Sequence, residues 1–205
     1  GDWSTIYVML AGYAVLLAVI LRLSLFKRLP AKEKVKTPLS TLVTNYGLVL
    51  RHAVTMRFIG LQALCFSAML VFVTNASFIY QEWFALSNAM FSALFAANIV
   101  AMASLNIFNR YLLKHFEAVS ILRVSVLLQF MALLVLVALA WSGAPYWLIA
   151  ASIIVAVGFM GSIVPNNMAN ALEFFPHLGG TAAALLGATQ FTVAGGISAF
   201  STTLS

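Results

Sequence analysis

This chain predicts an all-α membrane protein, a polytopic helix bundle, and three observations carry that fold class. Only 8% of its 205 residues are charged and 63% are apolar, whereas a soluble domain carries about 25% charged residues. The runs 3–21, 58–81, 83–109, 124–172 and 174–205 contain no Asp, Glu, Lys or Arg, and a helix needs roughly 20 mostly apolar residues to cross the hydrocarbon core. The apolar residues also run continuously rather than alternating. Helices, which satisfy every backbone group within one segment, are therefore favoured over barrel strands.

The first span is expected over residues 3–26, with Trp3 and Tyr7 at one interface and Arg22, Lys27 and Arg28 at the other. Residues 27–57 form a basic connection. It holds Lys32, Lys34 and Lys36 between Pro30 and Pro38, then an amphipathic segment over 40–57 suited to lying on the membrane surface. Spans two and three are expected over 58–80 and 87–109. Spans four and five divide the run 124–172 at Ser142-Gly143-Ala144-Pro145, a turn flanked by Trp141, Tyr146 and Trp147. A breaker at Phe175-Pro176-His177-Leu178-Gly179-Gly180 precedes span six, expected over 181–203.

The net charge of +6 is read as topology, not nucleic-acid binding. Arg22, Lys27, Arg28, Lys32, Lys34, Lys36, Arg51 and Arg57 cluster beside spans, and the remaining Arg110, Lys114 and Arg123 fall in or beside one later connection. Positive charge marks the cytoplasmic side, so connections 27–57 and 110–123 are expected inside and the turns near Glu82 and Ser142 outside. Cys65 sits alone in an apolar run and says nothing about redox compartment. No cluster has metal-ligand spacing, and neither a phosphate-binding loop nor a nucleophile elbow appears. The sequence begins Gly1-Asp2-Trp3 and stops at Ser205, and it is expected to be an internal piece of a longer protein.

Several segments resemble a known family. They are "FVTNASFIYQEWFALS" (72–87), "FAANIVAMASLNIFNRYLLKHF" (95–116), "LRVSVLLQF" (122–130) and, most specific, "NNMANALEFFPHLGGTAAALLGATQF" (166–191). Together with one helix, a long basic connection and closely spaced helices, they resemble the second half of a major facilitator superfamily transporter, in particular its bicyclomycin-resistance (Bcr/CflA) drug-efflux subfamily. The resemblance implies that residues 1–26 match transporter helix 6 and residues 27–57 the linker between halves. Residues 58–205 then match helices 7–11, with helix 12 missing. The run "NRYLLKH" (109–115) sits where the superfamily repeats its basic loop motif, but it lacks that motif's Gly and Asp. The partners implied are a drug-like small molecule, protons, the lipid bilayer and the missing N-terminal half, and the implied location is a bacterial inner membrane. The proton-carrying acid is implied to lie in helices outside this sequence.

Helical phase then selects candidate residues. At about 100° per residue, Phe91, Phe95, Asn98, Met102, Leu105, Asn106 and Asn109 share a face of span three or its border, with Ser92, Ala96 and Ala103 on another. Buried amides in lipid face a partner or a wet cavity, and Met beside aromatic rings offers adaptable apolar contact. Gln62, Phe66 and Met69 make a similar stripe on span two, which Tyr80 closes. Phe159 and Gln190 complete the expected substrate-binding set of Gln62, Phe66, Met69, Phe95, Asn98, Met102, Phe159 and Gln190. Gly158, Gly161 and Pro165 are the expected hinge. The competing reading for Asn98 is an interhelical hydrogen bond with no ligand role.

Asn106 and Asn109 are expected at the interface, and Asn167 and Asn170 among headgroups at a fraying helix end. On span six, Thr181, Ala184, Ala188, Thr192, Gly195 and Ala199 form the expected packing face. Glu173 and His177 are read as surface groups. The function expected is proton-coupled export of lipophilic molecules by alternating access, without enzyme activity and without cofactors. The alternatives are transport of a small metabolite, or a membrane-embedded enzyme or scaffold, and the spans supply no catalytic acid or His for an enzyme.

Overall fold

In the computed structural model of the chain, which describes residues 3–24 and 38–203, all regular structure is helical. Two units are present, Gly1–Leu39 and Ser40–Ser205. The first carries α1 (Trp3–Ser24), whose stretch Tyr7–Ser24 is apolar enough to cross a membrane. The basic stretch 25–37 lies outside the described residues.

The second unit begins at Ser40, in the first turn of α2 (Leu39–Arg51), and continues with α3 (Ala53–Ser77). His52 ends one helix and caps the next. Its Nδ1 accepts the Thr55 amide at 3.3 Å, filling one of the donors that a helix start leaves open. Its ring packs 4.9 Å from Phe174 and 5.3 Å from Phe175. Residues 53–57, expected in the amphipathic segment, thus belong to the first turns of the span. α2 buries Val49 beneath the bundle and leaves Leu39, Val43 and Leu48 exposed.

Beyond Ser77 the chain widens into a π-helical turn, Phe78–Trp83. Ser87 then caps α4 (Asn88–Leu112) by accepting the Met90 amide. α5 (Ala118–Trp141) ends in the expected turn, where Gly143 takes φ +67°, a left-handed conformation open to glycine. The fifth span is broken. α6 (Tyr146–Gly158) and α7 (Met160–Glu173) are separated at Phe159, and α8 (Gly179–Thr202) follows. Six helical stretches among the described residues are long and apolar enough to cross a membrane: Tyr7–Ser24, Ala53–Trp83, Asn88–Leu112, Ala118–Trp141, Tyr146–Glu173 and Gly179–Thr202.

The broken helix is the axis of the second unit. α4 and α5 pack on both of its halves, α7 packs on α3 and α8, and α3 lies along α8. Ala150, Ile153, Val157, Met160 and Ile163 supply its buried side. Close approach to α4 depends on glycine. A Cβ at Gly158 would stand 3.1 Å from Cβ of Ala101, and one at Gly161 would collide with the Met102 carbonyl oxygen. Small residues at helix contacts let backbones meet, which is how helices associate where lipid removes the hydrophobic drive.

One expectation is corrected here. α8 meets the bundle through Ala182, Leu186, Ala194 and Ser198, while Ala184, Ala188, Thr192 and Ala199 are exposed. The small-residue stripe is therefore not the face packed within this unit. The helix break falls at Phe159, between Gly158 and Gly161 of the expected hinge, and Pro165 lies inside α7.

Candidate functional site

The amides of α3 and α8 come together. Gln62 Nε2 donates to Gln190 Oε1 at 3.1 Å, and Gln62 is 1% exposed. Toward the far end of the same helix pair, the Thr74 and Ser198 hydroxyls meet at 2.7 Å and Asn75 Nδ2 donates to Ser201 Oγ at 3.1 Å. Phe66 rests its ring edge-on against Phe191, with centroids 5.1 Å apart. These contacts fix α3 against α8, yet they leave Gln62 Oε1 buried without a donor. An unmet buried acceptor costs about 1–3 kcal/mol, so it is primed to accept an N–H or O–H.

Two further groups are in the same condition. Asn98 is 4% exposed and spends its Nδ2 on Leu94, one turn back on its own helix, at 2.9 Å, while its Oδ1 has no donor. The Tyr80 hydroxyl, in the π-helical turn, is also buried without a partner. The rings of Phe72, Phe95, Phe91 and Tyr80 close a circuit, with successive centroids 6.2, 5.9, 6.3 and 6.1 Å apart. Phe72 was not among the sequence candidates, because an aromatic residue in a lipid span carries no mark of which neighbour it will meet.

The methionines join this circuit to a second cluster. Met69 and Met102 pack against both the Phe72–Tyr80 cluster and a cluster of Cys65, Leu122, Met160 and Ile163, on which Phe66 and Phe159 also rest. The expected substrate residues thus fall into three linked groups: the Gln62–Gln190 pair beside Phe66, the aromatic circuit with Phe95, and the methionine junction. Asn98 is buried on the predicted face of α4, and Ser92, Ala96 and Ala103 on the other face are exposed. Phe159 additionally lines a cavity of about 280 Å³ between α4, α5 and the helix break.

A polar network at that break was missed. Asn109 Oδ1 accepts Ser162 Oγ at 3.1 Å and Asn166 Nδ2 at 2.6 Å, and Ser162 meets Ser125 at 2.9 Å. Gln129 Nε2 donates to the Ala156 carbonyl and Asn106 Nδ2 to the Gly161 carbonyl. Asn167 Nδ2 donates to the Phe58 carbonyl at 2.9 Å, and its Oδ1 stays unpaired. Asn109, Asn166, Asn167 and Asn170 are all buried. The expectation that Asn109 lies at the interface and that Asn167 and Asn170 lie among headgroups is corrected: neighbouring helices cover them. A usable signal was present, since Ser125/Gln129 and Ser162/Asn166 are each four apart and so share a helix face.

Residues 1–199 match the family model for the Major Facilitator Superfamily. The chain belongs to the Major Facilitator Superfamily. It is similar to a bicyclomycin resistance protein homolog of Haemophilus influenzae, 24% identical over 191 residues, covering 93% of this chain and 48% of that protein. It is also similar to an uncharacterized MFS-type transporter, YdgK, of Bacillus subtilis, 25% identical over 191 residues, covering 91% of this chain and 46% of that one. The chain spans about half the length of these curated relatives. As a superfamily member it is a multi-pass integral membrane protein of a transporter family rather than of an enzyme family.

Proposed function

We propose that this superfamily chain forms one wall of the path in a proton-coupled exporter of lipophilic, drug-like molecules in a bacterial inner membrane. The observation that carries the reading is Gln62. A fully buried amide oxygen without a donor, in lipid, beside a second amide and flanked by Phe66 and Met69, is a poor structural element and a good acceptor for a ligand's N–H or O–H. Asn98 Oδ1 offers the same valence beside Phe95 and Met102. Rings and thioethers around these acceptors suit ligands of varied shape. The drug-resistance wording comes from a relative's name and supports the substrate class without specifying the compound.

In this reading the chain answers to transporter helices 6–11 and rocks against a partner half, exposing the wall alternately to each side. Gly158 and the break at Phe159 are the proposed point of flexing. Gly161, whose lack of a side chain lets α7 meet Met102 of α4, and Pro165 complete the proposed hinge. No Asp, Glu, Lys or Arg lies within the charge-free runs, so proton coupling is assigned to the rest of the transporter.

The test uses the full-length transporter in drug-sensitive bacteria. Export of a neutral or cationic lipophilic drug is expected, with collapse on adding an uncoupler, and Gln62→Leu is expected to alter the substrate profile. Transport of a small polar metabolite with no drug export would favour the metabolite reading. Export that persists without a proton gradient would remove the coupling.

A further inference from the structure

The cavity at the helix break has an unusual floor. Its wall is apolar apart from the exposed Ser120, with Phe108, Val124 and Leu128 on an exposed rim, and no charged side chain lines it. Its floor holds Asn109, Ser125 and Ser162, each at least nine-tenths buried.

The hydrogens on that floor can be assigned. Asn109 Oδ1 only accepts, so the Ser162 hydroxyl hydrogen is spent on it. In the Ser125–Ser162 contact the donor must then be Ser125. Ser125 Oγ is left with lone pairs and no donor, and Asn109 Nδ2, with two hydrogens, finds no acceptor among the described residues. One donor and one acceptor therefore stand unspent on the buried floor of this neutral cavity, besides the exposed Ser120 hydroxyl that also lines it. A volume of about 280 Å³ holds a ligand on the order of ten non-hydrogen atoms, given roughly 30 Å³ per water-sized group.

We propose that this cavity is a lipid-side binding site for a neutral amphiphile whose head both donates and accepts, as an alcohol hydroxyl does. The body would lie against Phe108, Val124 and Leu128, and the head would take a hydrogen from Asn109 Nδ2 and give one to Ser125 Oγ. The rim lies on α4 and α5, both long and apolar enough to span the membrane, and access from the bilayer is part of the proposal. This site does not depend on the Gln62–Gln190 pair, and its failure would leave the export reading intact.

The experiment photolabels the full protein in lipid nanodiscs with a diazirine-bearing octanol and, in parallel, with the matching diazirine-bearing octane. Labelled residues are mapped by peptide mass spectrometry. Octanol label is expected to concentrate at 105–112 and 121–128 and to be displaced by unlabelled octanol, whereas the octane label spreads over lipid-facing helices. Ser125→Ala should weaken that competition about two- to tenfold, the range of one neutral hydrogen bond. Leu128→Trp, on the rim and outside the hydrogen-bond network, should fill the cavity and remove the focused label. Equal focusing of both probes overturns the polar floor, and octanol labelling indifferent to Leu128→Trp overturns the site.

Discussion

The side-chain amide of Asn106 on α4 donates to the Gly161 carbonyl on α7 at 3.0 Å, and Gly161 is four residues before Pro165. That carbonyl would ordinarily accept the amide hydrogen of residue 165, which proline lacks. In lipid no water replaces it, so a side chain from the neighbouring helix does.

A double-mutant cycle follows from this relationship. Asn106→Leu alone should destabilise the folded protein by about 1–3 kcal/mol, the cost of an unmet buried carbonyl. In a Pro165→Ala background, where the backbone N–H returns, the same change should cost much less. Unfolding of the purified protein in mixed micelles would report both values. Strict additivity would mean that Asn106 does not stand in for the missing amide.

Glycine matters where backbones touch. Gly161→Ala sets a methyl into the Met102 carbonyl oxygen, a collision with backbone that no rotamer relieves, so its cost should reach or exceed the ~1–3 kcal/mol typical of overpacking. Gly187→Ala meets no atom within 4 Å and should be neutral or slightly stabilising, since alanine is the better helix former. Folded yield and thermal midpoint in detergent would separate the two. Equal tolerance at both positions would contradict the close α4–α7 approach.

Asn98 and Gln62 differ in what they hold together. Asn98 bonds only within its own helix, so Asn98→Ala should leave folded yield near normal while weakening export or changing the substrate profile of the full-length transporter. Ser92→Ala, on the exposed face, should be close to silent. Gln62→Leu also breaks the bond to Gln190 and should cost about 0.6–1.7 kcal/mol of stability, the range for interhelical bonds in membranes. Export of every tested compound at parental rates by both Asn98→Ala and Gln62→Leu would move the binding wall elsewhere.

Orientation is open to a labelling test. With Cys65→Ser as background, a cysteine at Ser142 should react with an impermeant thiol reagent on intact cells, and one at Lys34 should not, because Lys and Arg gather on the cytoplasmic side. Labelling at 34 and protection at 142 would invert the topology.

The six spans, the turn at Ser142-Gly143-Ala144-Pro145 and the inward face of α4 were legible in the amino-acid order. Each depends on a local quantity: the length of an apolar run against the bilayer, a pair of turn residues, or a rotation per residue. The partners of the polar residues were not legible. Asn109, Asn167 and Asn170 stand near the ends of apolar runs, where a buried amide and a headgroup-facing one look alike in sequence. Their burial was decided by α3, α4 and α5 closing around α7. The same holds for α8, whose small-residue stripe promised a contact that the fold made through Ala182, Leu186, Ala194 and Ser198 instead. Periodicity says which residues share a face, but the neighbour that arrives at that face is a property of the whole bundle.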